Sequence, residues 1–150
     1  TRQYGLADPS LTFATTGLVN GETVSVLTGG LARAPGETVG SYAISRGSLG
    51  AQNYTITFVG ADFTITRAPL SVEADARTRE YGLADPALTF VASGFRLGDT
   101  AATALTGAIA RAAGENVGAY AIGQGTLAAQ NYDIGFTAAT FTITPAPLDV

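Results

Sequence analysis

Apolar and polar residues alternate in short runs along most of the chain. The clearest runs are Asn53–Phe58, Phe63–Thr66 and Ala68–Ala74, in which every second residue is apolar. This period of two is typical of β-strands with one buried face, and it places Tyr54 and Ile56 inward. Weaker runs of the same kind lie at Leu11–Phe13, Val24–Thr28 and Gly40–Ile44. The pattern therefore predicts a chain of short β-strands.

Turn-forming residues separate these runs. Asn20-Gly21 is a residue pair favoured in tight hairpins, and it predicts a turn before the strand at Val24–Thr28. Asp8-Pro9 predicts a second turn, in which the Asp8 side chain would bond nearby backbone amides. The glycine- and proline-containing segment Gly29–Gly36 is predicted to be a loop.

The hexapeptide Tyr4–Pro9 returns unchanged as Tyr81–Pro86. The distance from Tyr4 to Tyr81 sets a period of about 77 residues, which suits a small domain better than a solenoid repeat. The other runs recur at the same spacing, apart from one residue inserted between Thr100 and Thr106. The sequence therefore predicts two copies of one domain in tandem.

The two copies are predicted to span residues 1–67 and 68–145, with the second beginning at the strand Ala68–Ala74. Residues 146–150 match the start of that strand and are expected to be the first strand of a following repeat, whereas the first copy lacks such a strand. We therefore expect neighbouring repeats of the same chain as partners. Head-to-tail strand exchange between molecules through Leu148–Val150 is a further expected mode of association.

The alanine-rich segment Ala101–Ala113 could be helical on propensity alone. Its counterpart Val24–Pro35 contains β-branched residues, two adjacent glycines and a proline. Because duplicated segments should share a backbone conformation, we predict a strand followed by a loop in both copies.

The composition removes several kinds of chemistry. The chain has no Cys and no His, so it has no disulfides, no thiolate or imidazole catalysis and none of the commonest transition-metal ligands. Its net charge of -4 argues against partners such as nucleic acid or an anionic membrane. No apolar run approaches the length of a membrane span, so we expect no membrane insertion.

Four short patterns occur in the same order in both copies. They are Tyr-Gly-x-x-Asp-Pro, Gly-Glu-x-Val-Gly-x-Tyr-x-Ile, Gln-Asn-Tyr-x-Ile-x-Phe and Phe-Thr-Ile-Thr. In the first copy the matching residues are Tyr4, Gly5, Asp8, Pro9, Gly36, Glu37, Val39, Gly40, Tyr42, Ile44, Asn53, Tyr54, Ile56, Phe58, Phe63 and Ile65. Together they resemble the MBG (mostly beta, glycine-rich) repeat of large bacterial secreted and surface adhesins of the filamentous-haemagglutinin type. The resemblance implies a structural or adhesive role and brings no catalytic residues.

The polar residues of the repeat are candidates for a site, each with a simpler structural interpretation. Asp8 and Glu37 could form the carboxylate pair of a glycosidase, but a turn cap and a loop position explain them more simply. Arg33 lies four residues before Glu37, which predicts a loop-stabilising ion pair rather than a binding site. The second copy repeats these residues as Asp85, Arg111 and Glu115.

A calcium ion at the junction between the repeats is a further candidate, with Asp8, Asp62 or Asp75 as ligands. No catalytic, cofactor-binding or metal-binding residue is otherwise assigned.

Two sets of surface residues could contact a ligand. Tyr4, Tyr42 and Tyr54 could stack on sugars, although tyrosines at alternating strand positions more often belong to the core. The outward threonines could form an adhesive or ice-binding face, although ordinary solvent-facing positions explain them equally well. They are Thr55, Thr57, Thr64 and Thr66.

The sequence thus predicts an all-β fold of two small Ig-like or sandwich-like domains of roughly six or seven strands each, in an elongated array. β-Grasp-like units with one short helix are the alternative. The favoured function is a non-catalytic spacer or stalk of an extracellular adhesin on the bacterial cell surface, projecting a distal binding region. The alternative is an adhesive module for glycan, ice or a cell surface. A spacer predicts no concave pocket and no perturbed carboxylate, whereas an enzyme needs a cleft with convergent polar groups.

Overall fold

The computed structural model describes all 150 residues, and most of its regular structure is β-strand. This confirms the all-β prediction. The chain divides into two compact units, Thr1–Thr66 (unit 1) and Arg67–Val150 (unit 2). Each unit forms its own hydrogen-bonded sheets, so the two are described in turn.

Unit 1 contains short strands and one 3-10 helix. The strands are β1 (Arg2–Gln3), β2 (Leu27–Thr28), β3 (Ala32–Arg33), β4 (Gly40–Ser45), β5 (Gly50–Ala51) and β6 (Ala61–Thr66), and the 3-10 helix is Val24–Val26. A four-stranded sheet has the order β1-β6-β4-β3, and β2 pairs with β5. Because β1 runs parallel to β6, the first and last strands of unit 1 lie side by side.

Unit 2 contains nine strands and a single helical turn. The elements are β7 (Ala68–Ala74), β8 (Arg77–Glu80), β9 (Phe90–Ser93), α1 (Ala101–Ala104), β10 (Leu105–Thr106), β11 (Ala110–Arg111), β12 (Gly118–Gly123), β13 (Ala128–Ala129), β14 (Tyr132–Thr137) and β15 (Ala139–Thr144). The sheets have the orders β11-β12-β15-β8, β14-β7-β9 and β10-β13. Two parallel pairs, β8 with β15 and β7 with β14, join the beginning of the unit to its end.

The core of unit 2 comes from the two larger sheets. Phe141 and Ile143 on β15 are buried, and so are Leu70 and Val72 on β7. The residues between them in the sequence are exposed or half-buried. The predicted alternation therefore holds in both sheets, and it supplies one apolar face from each.

Unit 1 has no counterpart of the three-stranded sheet. Residues 13–16 and 54–59 correspond in sequence to β9 and β14, yet neither segment forms a strand. In unit 2 those two strands pair only with β7, and unit 1 has no strand in that place. The strands predicted at Leu11–Phe13 and Asn53–Phe58 are therefore wrong, because a strand requires a hydrogen-bonding neighbour as well as an alternating pattern.

The prediction of a strand at the start of Val24–Thr28 and of Ala101–Ala113 is also wrong. Both segments begin with a helical turn, and only their continuations Leu27–Thr28 and Leu105–Thr106 are strands. A threonine precedes each turn, and in unit 2 the amide of Thr100 donates to the Thr103 hydroxyl at 2.9 Å in a capping box. In unit 1 the Thr23 hydroxyl accepts from the Ser25 amide at 3.5 Å, and the turn has three residues in unit 1 and four in unit 2.

The predicted turn at Asn20-Gly21 is confirmed. Both residues have positive φ angles, 57° and 73°, as a type I′ turn requires, and the Glu22 amide donates to the Val19 carbonyl at 3.0 Å. Unit 2 makes the same turn with Leu97 at the position of Asn20 and with a φ of 54°. A leucine rarely adopts this conformation.

Candidate functional site

The repeated hexapeptide reverses the chain directly after the first strand of each four-stranded sheet. In unit 1 the Leu6 amide donates to the Gln3 carbonyl at 3.2 Å, and Gly5 has a φ of 77°. A positive φ at the third residue of a turn defines type II and explains the glycine. The turn brings Asp8 back to Arg2, six residues earlier, so that their side chains bond.

Four side chains form the arginine–carboxylate cluster of unit 1: Arg2, Asp8, Arg33 and Glu37. The Nε of Arg2 donates to Asp8 Oδ1 at 2.5 Å, and a terminal nitrogen of Arg2 donates to Glu37. Arg33 donates from its Nε to the second Asp8 oxygen and from a terminal nitrogen to Glu37 Oε1, the latter at 2.9 Å. Each guanidinium therefore contacts both carboxylates, and the four charges cancel.

Arg33 also holds its own loop in shape. Another terminal nitrogen donates to the carbonyls of Ala34 and Gly36, at 2.9 and 2.8 Å. The guanidinium lies 5.3 Å from the ring centres of both Tyr42 and Phe63, within the range of cation–π attraction. A Cβ at Gly36 would lie 2.2 Å from the Tyr42 ring, so only glycine fits there.

Unit 2 contains the same cluster. Arg79 donates to Asp85 at 2.5 Å and also to Glu115. Arg111 donates to the second oxygen of Asp85 at 2.5 Å and to Glu115 at 2.8 Å. The guanidinium of Arg111 lies 4.9 Å from the centre of the Phe141 ring. The ion pairs predicted between Arg33 and Glu37 and between their counterparts are confirmed, whereas the interpretation of Asp8 as a turn cap is wrong, because its carboxylate serves the arginines.

The electrostatics of the cluster argue against Asp8 and Asp85 as general acids. The hydrogen bond from Arg33, reinforced by Arg2, lowers the pKa of Asp8 below its usual range, and Arg111 and Arg79 do the same to the pKa of Asp85. A general acid requires the opposite shift, because it must carry a proton near neutral pH. The arginines thus favour the ionised form of Asp8 and Asp85.

Arg2 in the unit 1 cluster and Arg79 in the unit 2 cluster were not predicted from the sequence. Their side chains are only 3% and 4% exposed, which is unusual for arginine. Their partners Glu37 and Glu115 lie far along the chain, so no local spacing marks the contact. The available signal was that both copies carry an arginine two residues before the repeated tyrosine.

The acidic residues considered for calcium have other surroundings. Asp8 belongs to the cluster, Asp75 accepts a bond from the Thr89 hydroxyl, and Asp62 lies exposed on β6 opposite Ala43. No group of three or more acidic side chains that could hold a metal ion occurs in the structure.

The tyrosines do not form a common platform. Tyr4 is buried and Tyr42 is half-buried, but Tyr81, the counterpart of Tyr4, is half-exposed, so the hexapeptide tyrosine belongs to the core only in unit 1. The hydroxyl of Tyr54 donates to the Glu22 carboxylate and accepts from the Val19 amide at 3.2 Å. It therefore fixes the type I′ turn.

The four threonines are exposed, as predicted. Thr64 and Thr66 lie on β6, whereas Thr55 and Thr57 lie outside any strand. The second copy has Asp133 and Gly135 in place of the latter two. The threonines therefore do not make a regular array that repeats from unit to unit.

One concave feature stands out in unit 1. A cavity of about 560 Å³, the unit 1 cleft, lies between residues 12–16 and 54–59, with Leu31, Ile44 and Leu49 among its lining residues. No charged side chain lines it, so it lacks the convergent ionisable groups that an enzyme cleft needs. For a spacer we expected no concave pocket and no carboxylate with a perturbed pKa, so this cleft and the lowered pKa of Asp8 both differ from that expectation.

The fold and the repeated clusters define a tandem β-repeat protein whose most elaborate polar contacts are internal to each unit. A family model for the MBG domain (YGX type) matches residues 1–64 and 70–142. The chain therefore belongs to the MBG domain family, whose members are repeat modules of large surface proteins. Neither the curated proteins nor the solved structures gave a significant match. None of the helices has the length and apolar character needed to cross a membrane.

Proposed function

We propose that the chain is a non-catalytic spacer module of a bacterial extracellular adhesin. It would hold a distal binding region away from the cell surface. The single observation that carries this proposal is the repetition of the arginine–carboxylate cluster in both units. Each cluster joins the turn after β1 or β8 to a loop that lies more than 20 residues later, and each satisfies its own charges.

The cluster has the chemistry of an internal clamp. Guanidinium and carboxylate groups match each other in pairs, and aromatic rings lie beside Arg33 and Arg111. No buried polar side-chain atom in the structure lacks a hydrogen-bond partner. A module that repeats such clamps fixes a turn to a loop within each unit without presenting a reactive group, which suits a spacer.

The binding alternative receives less support from the surface. Among the large hydrophobic residues that are exposed, the aromatic ones are Phe13 and Tyr81, which belong to different units. A glycan platform needs aromatic rings that cluster on one face. The threonines likewise form no repeated array.

Reach across a surface layer tests the spacer proposal. One, two or three copies of the chain would be placed between a cell-surface anchor and a reporter binding domain, on cells coated with a polymer layer. We expect capture of the reporter's target to increase with copy number, and a flexible Gly/Ser linker with the same number of residues to extend reach less. Capture that does not change with copy number would overturn the proposal.

A glycan array and an ice-recrystallisation assay with the isolated chain test the binding alternative. We expect no signal above that of the variant Thr55→Ala/Thr57→Ala. Specific binding that this variant loses would favour the adhesive module instead.

A further inference from the structure

We propose that the unit 1 cleft accepts residues 146–150 of a second copy of the chain as a β-strand. The incoming strand would take the place that β7 holds in unit 2. This goes beyond the spacer function, because it assigns an interaction surface and its partner, and it stands on separate observations.

Unit 2 shows how such a strand is held. β7 runs parallel to β14, with Leu70 beside Ile134 and Val72 beside Phe136. It runs antiparallel to β9, with Val72 opposite Ala92. Leu70 and Val72 are buried, so one strand closes the sheet and completes the core.

Unit 1 presents the same walls without that strand. Residues 12–16 and 54–59 line the cleft, and they correspond in sequence to the β9 region and to β14. Because unit 1 lacks this strand, residues that are buried in unit 2 are more exposed at the matching positions of unit 1. Ile122 and Tyr132 are buried in unit 2, whereas their counterparts Ile44 and Tyr54 are only half-buried and line the cleft. Apolar walls that lie outside any strand favour the addition of a strand from another molecule.

Residues 146–150 have the composition that this position requires. They read Ala-Pro-Leu-Asp-Val, against Ala-Pro-Leu-Ser-Val at residues 68–72. The two apolar residues that β7 buries therefore recur as Leu148 and Val150, which are highly exposed and belong to no strand. The one difference, Asp149 for Ser71, falls at a position that is exposed in unit 2, so its charge would face solvent rather than the uncharged cleft.

The pairing of β7 with β14 also fixes the register in which residues 146–150 would lie beside residues 54–59. Leu148 would lie beside Ile56 and Val150 beside Phe58, as their counterparts do in unit 2. Pro147 is tolerated because Pro69 precedes the part of β7 that pairs with β9, which begins at Ser71. The contact joins different surfaces of the two copies, so it can be repeated from one molecule to the next.

Directed cross-linking tests the register. In the proposed complex Asp149 lies beside Thr57, as Ser71 lies beside Gly135. The chain has no cysteine, so a Thr57→Cys chain mixed with an Asp149→Cys chain can form a mixed disulfide only through these two positions. We expect the mixed disulfide under mild oxidation and its loss when Thr57→Cys is replaced by Thr64→Cys, which is exposed on β6. Absence of the mixed disulfide, or equal yields from both mixtures, would overturn the proposal.

Sedimentation of the full chain tests the association itself. We expect the mass to rise above 15.2 kDa with concentration. The variant Leu148→Asp/Val150→Asp should stay monomeric, whereas Asp149→Asn should associate like the parent chain. A peptide with the sequence of residues 68–74 should compete with association, and the same peptide with aspartate in place of its Leu70 and Val72 should not. A monomer at every concentration, or association that survives Leu148→Asp/Val150→Asp, would contradict the proposal without touching the spacer test.

Discussion

The Nε of Arg79 donates to Oδ1 of Asp85 at 2.5 Å, and the same two atoms of Arg2 and Asp8 are also 2.5 Å apart. Both arginine side chains are almost wholly buried, although arginine is normally a surface residue. A buried charge that loses its partner destabilises a fold more than a surface charge does. The cluster is therefore the part of each unit that should respond most strongly to substitution of a charged residue.

Replacement of Arg79 tests the importance of the cluster. We expect Arg79→Met to lower the melting temperature of unit 2, because it leaves Asp85 and Glu115 with one guanidinium between them. The melting temperature of Arg79→Lys should lie between those of the parent chain and Arg79→Met, since an ammonium group cannot bond both carboxylates with the same fixed geometry. Arg67→Met is the matched control, because Arg67 is about half-exposed and pairs with Asp133 at 3.7 Å. Calorimetry of the full chain gives the comparison, and equal effects of Arg79→Met and Arg67→Met would contradict it.

Acid should weaken the fold through Asp8 and Asp85. Their pKa values in the folded state lie below the ordinary value of 3.8, mainly because of hydrogen bonds from Arg33 and Arg111. A carboxylate with a lowered folded pKa stabilises the fold above its unfolded pKa, and this contribution is lost as the pH falls through the folded pKa. Between about pH 5 and about pH 2, the melting temperature of the parent chain should therefore fall more steeply than that of Asp8→Asn/Asp85→Asn. Parallel curves in this range would show that the two carboxylates are not linked to stability.

Gly114 should not accept a side chain. Its φ is 146°, and a Cβ would lie 2.2 Å from the Tyr120 ring. We expect Gly114→Ala to reduce the free energy of unfolding by about 1–3 kcal/mol, from backbone strain and displacement of the tyrosine. Gly123→Ala is the control, because a Cβ there would meet only the Ala110 carbonyl oxygen, at 4.0 Å. Denaturant titration measures both variants, and a neutral Gly114→Ala would show that the loop adapts.

Leu97 should be replaceable with a gain in stability. It has a φ of 54° in a type I′ turn and is exposed, whereas unit 1 has Asn20 at this position. Asparagine tolerates this conformation far better than leucine, so Leu97→Asn should stabilise unit 2 by about 1 kcal/mol. The reciprocal change Asn20→Leu should destabilise unit 1 by a similar amount. Opposite shifts in the two denaturant midpoints are expected, and shifts of the same sign would argue against the explanation.

Alternation predicted those strands whose partners are present. The run at Ala68–Ala74 became β7 with the same bounds, and that at Phe63–Thr66 lies within β6. The run at Asn53–Phe58 alternates as clearly, yet it forms no strand because nothing in unit 1 pairs with it. A one-dimensional pattern reports which faces are apolar, but pairing depends on a neighbour that is distant in the sequence.

The helical turns and the buried arginines escaped prediction for different physical reasons. The turn at Val24–Val26 is only three residues long, so its threonine cap matters more than the propensities of its valines. Arg2 becomes buried only because the folded chain brings Asp8 and Glu37 to it. The ion pair between Arg33 and Glu37 was predictable, since four residues of sequence separate the two.

The parallel pairing of β8 with β15 has a mechanical consequence. A pull that separates Arg77 from Thr144 acts on the beginning of β8 and on the end of β15. The hydrogen bonds from Arg77–Phe141 to Glu80–Thr144 are then loaded together in shear, instead of opening one after another as at the end of a hairpin. A pull that separates Ala68 from Thr137 loads the parallel pair β7–β14 in shear as well. Both parallel pairs of unit 2 thus resist a pull along their strands better than a pull that peels one strand from the other.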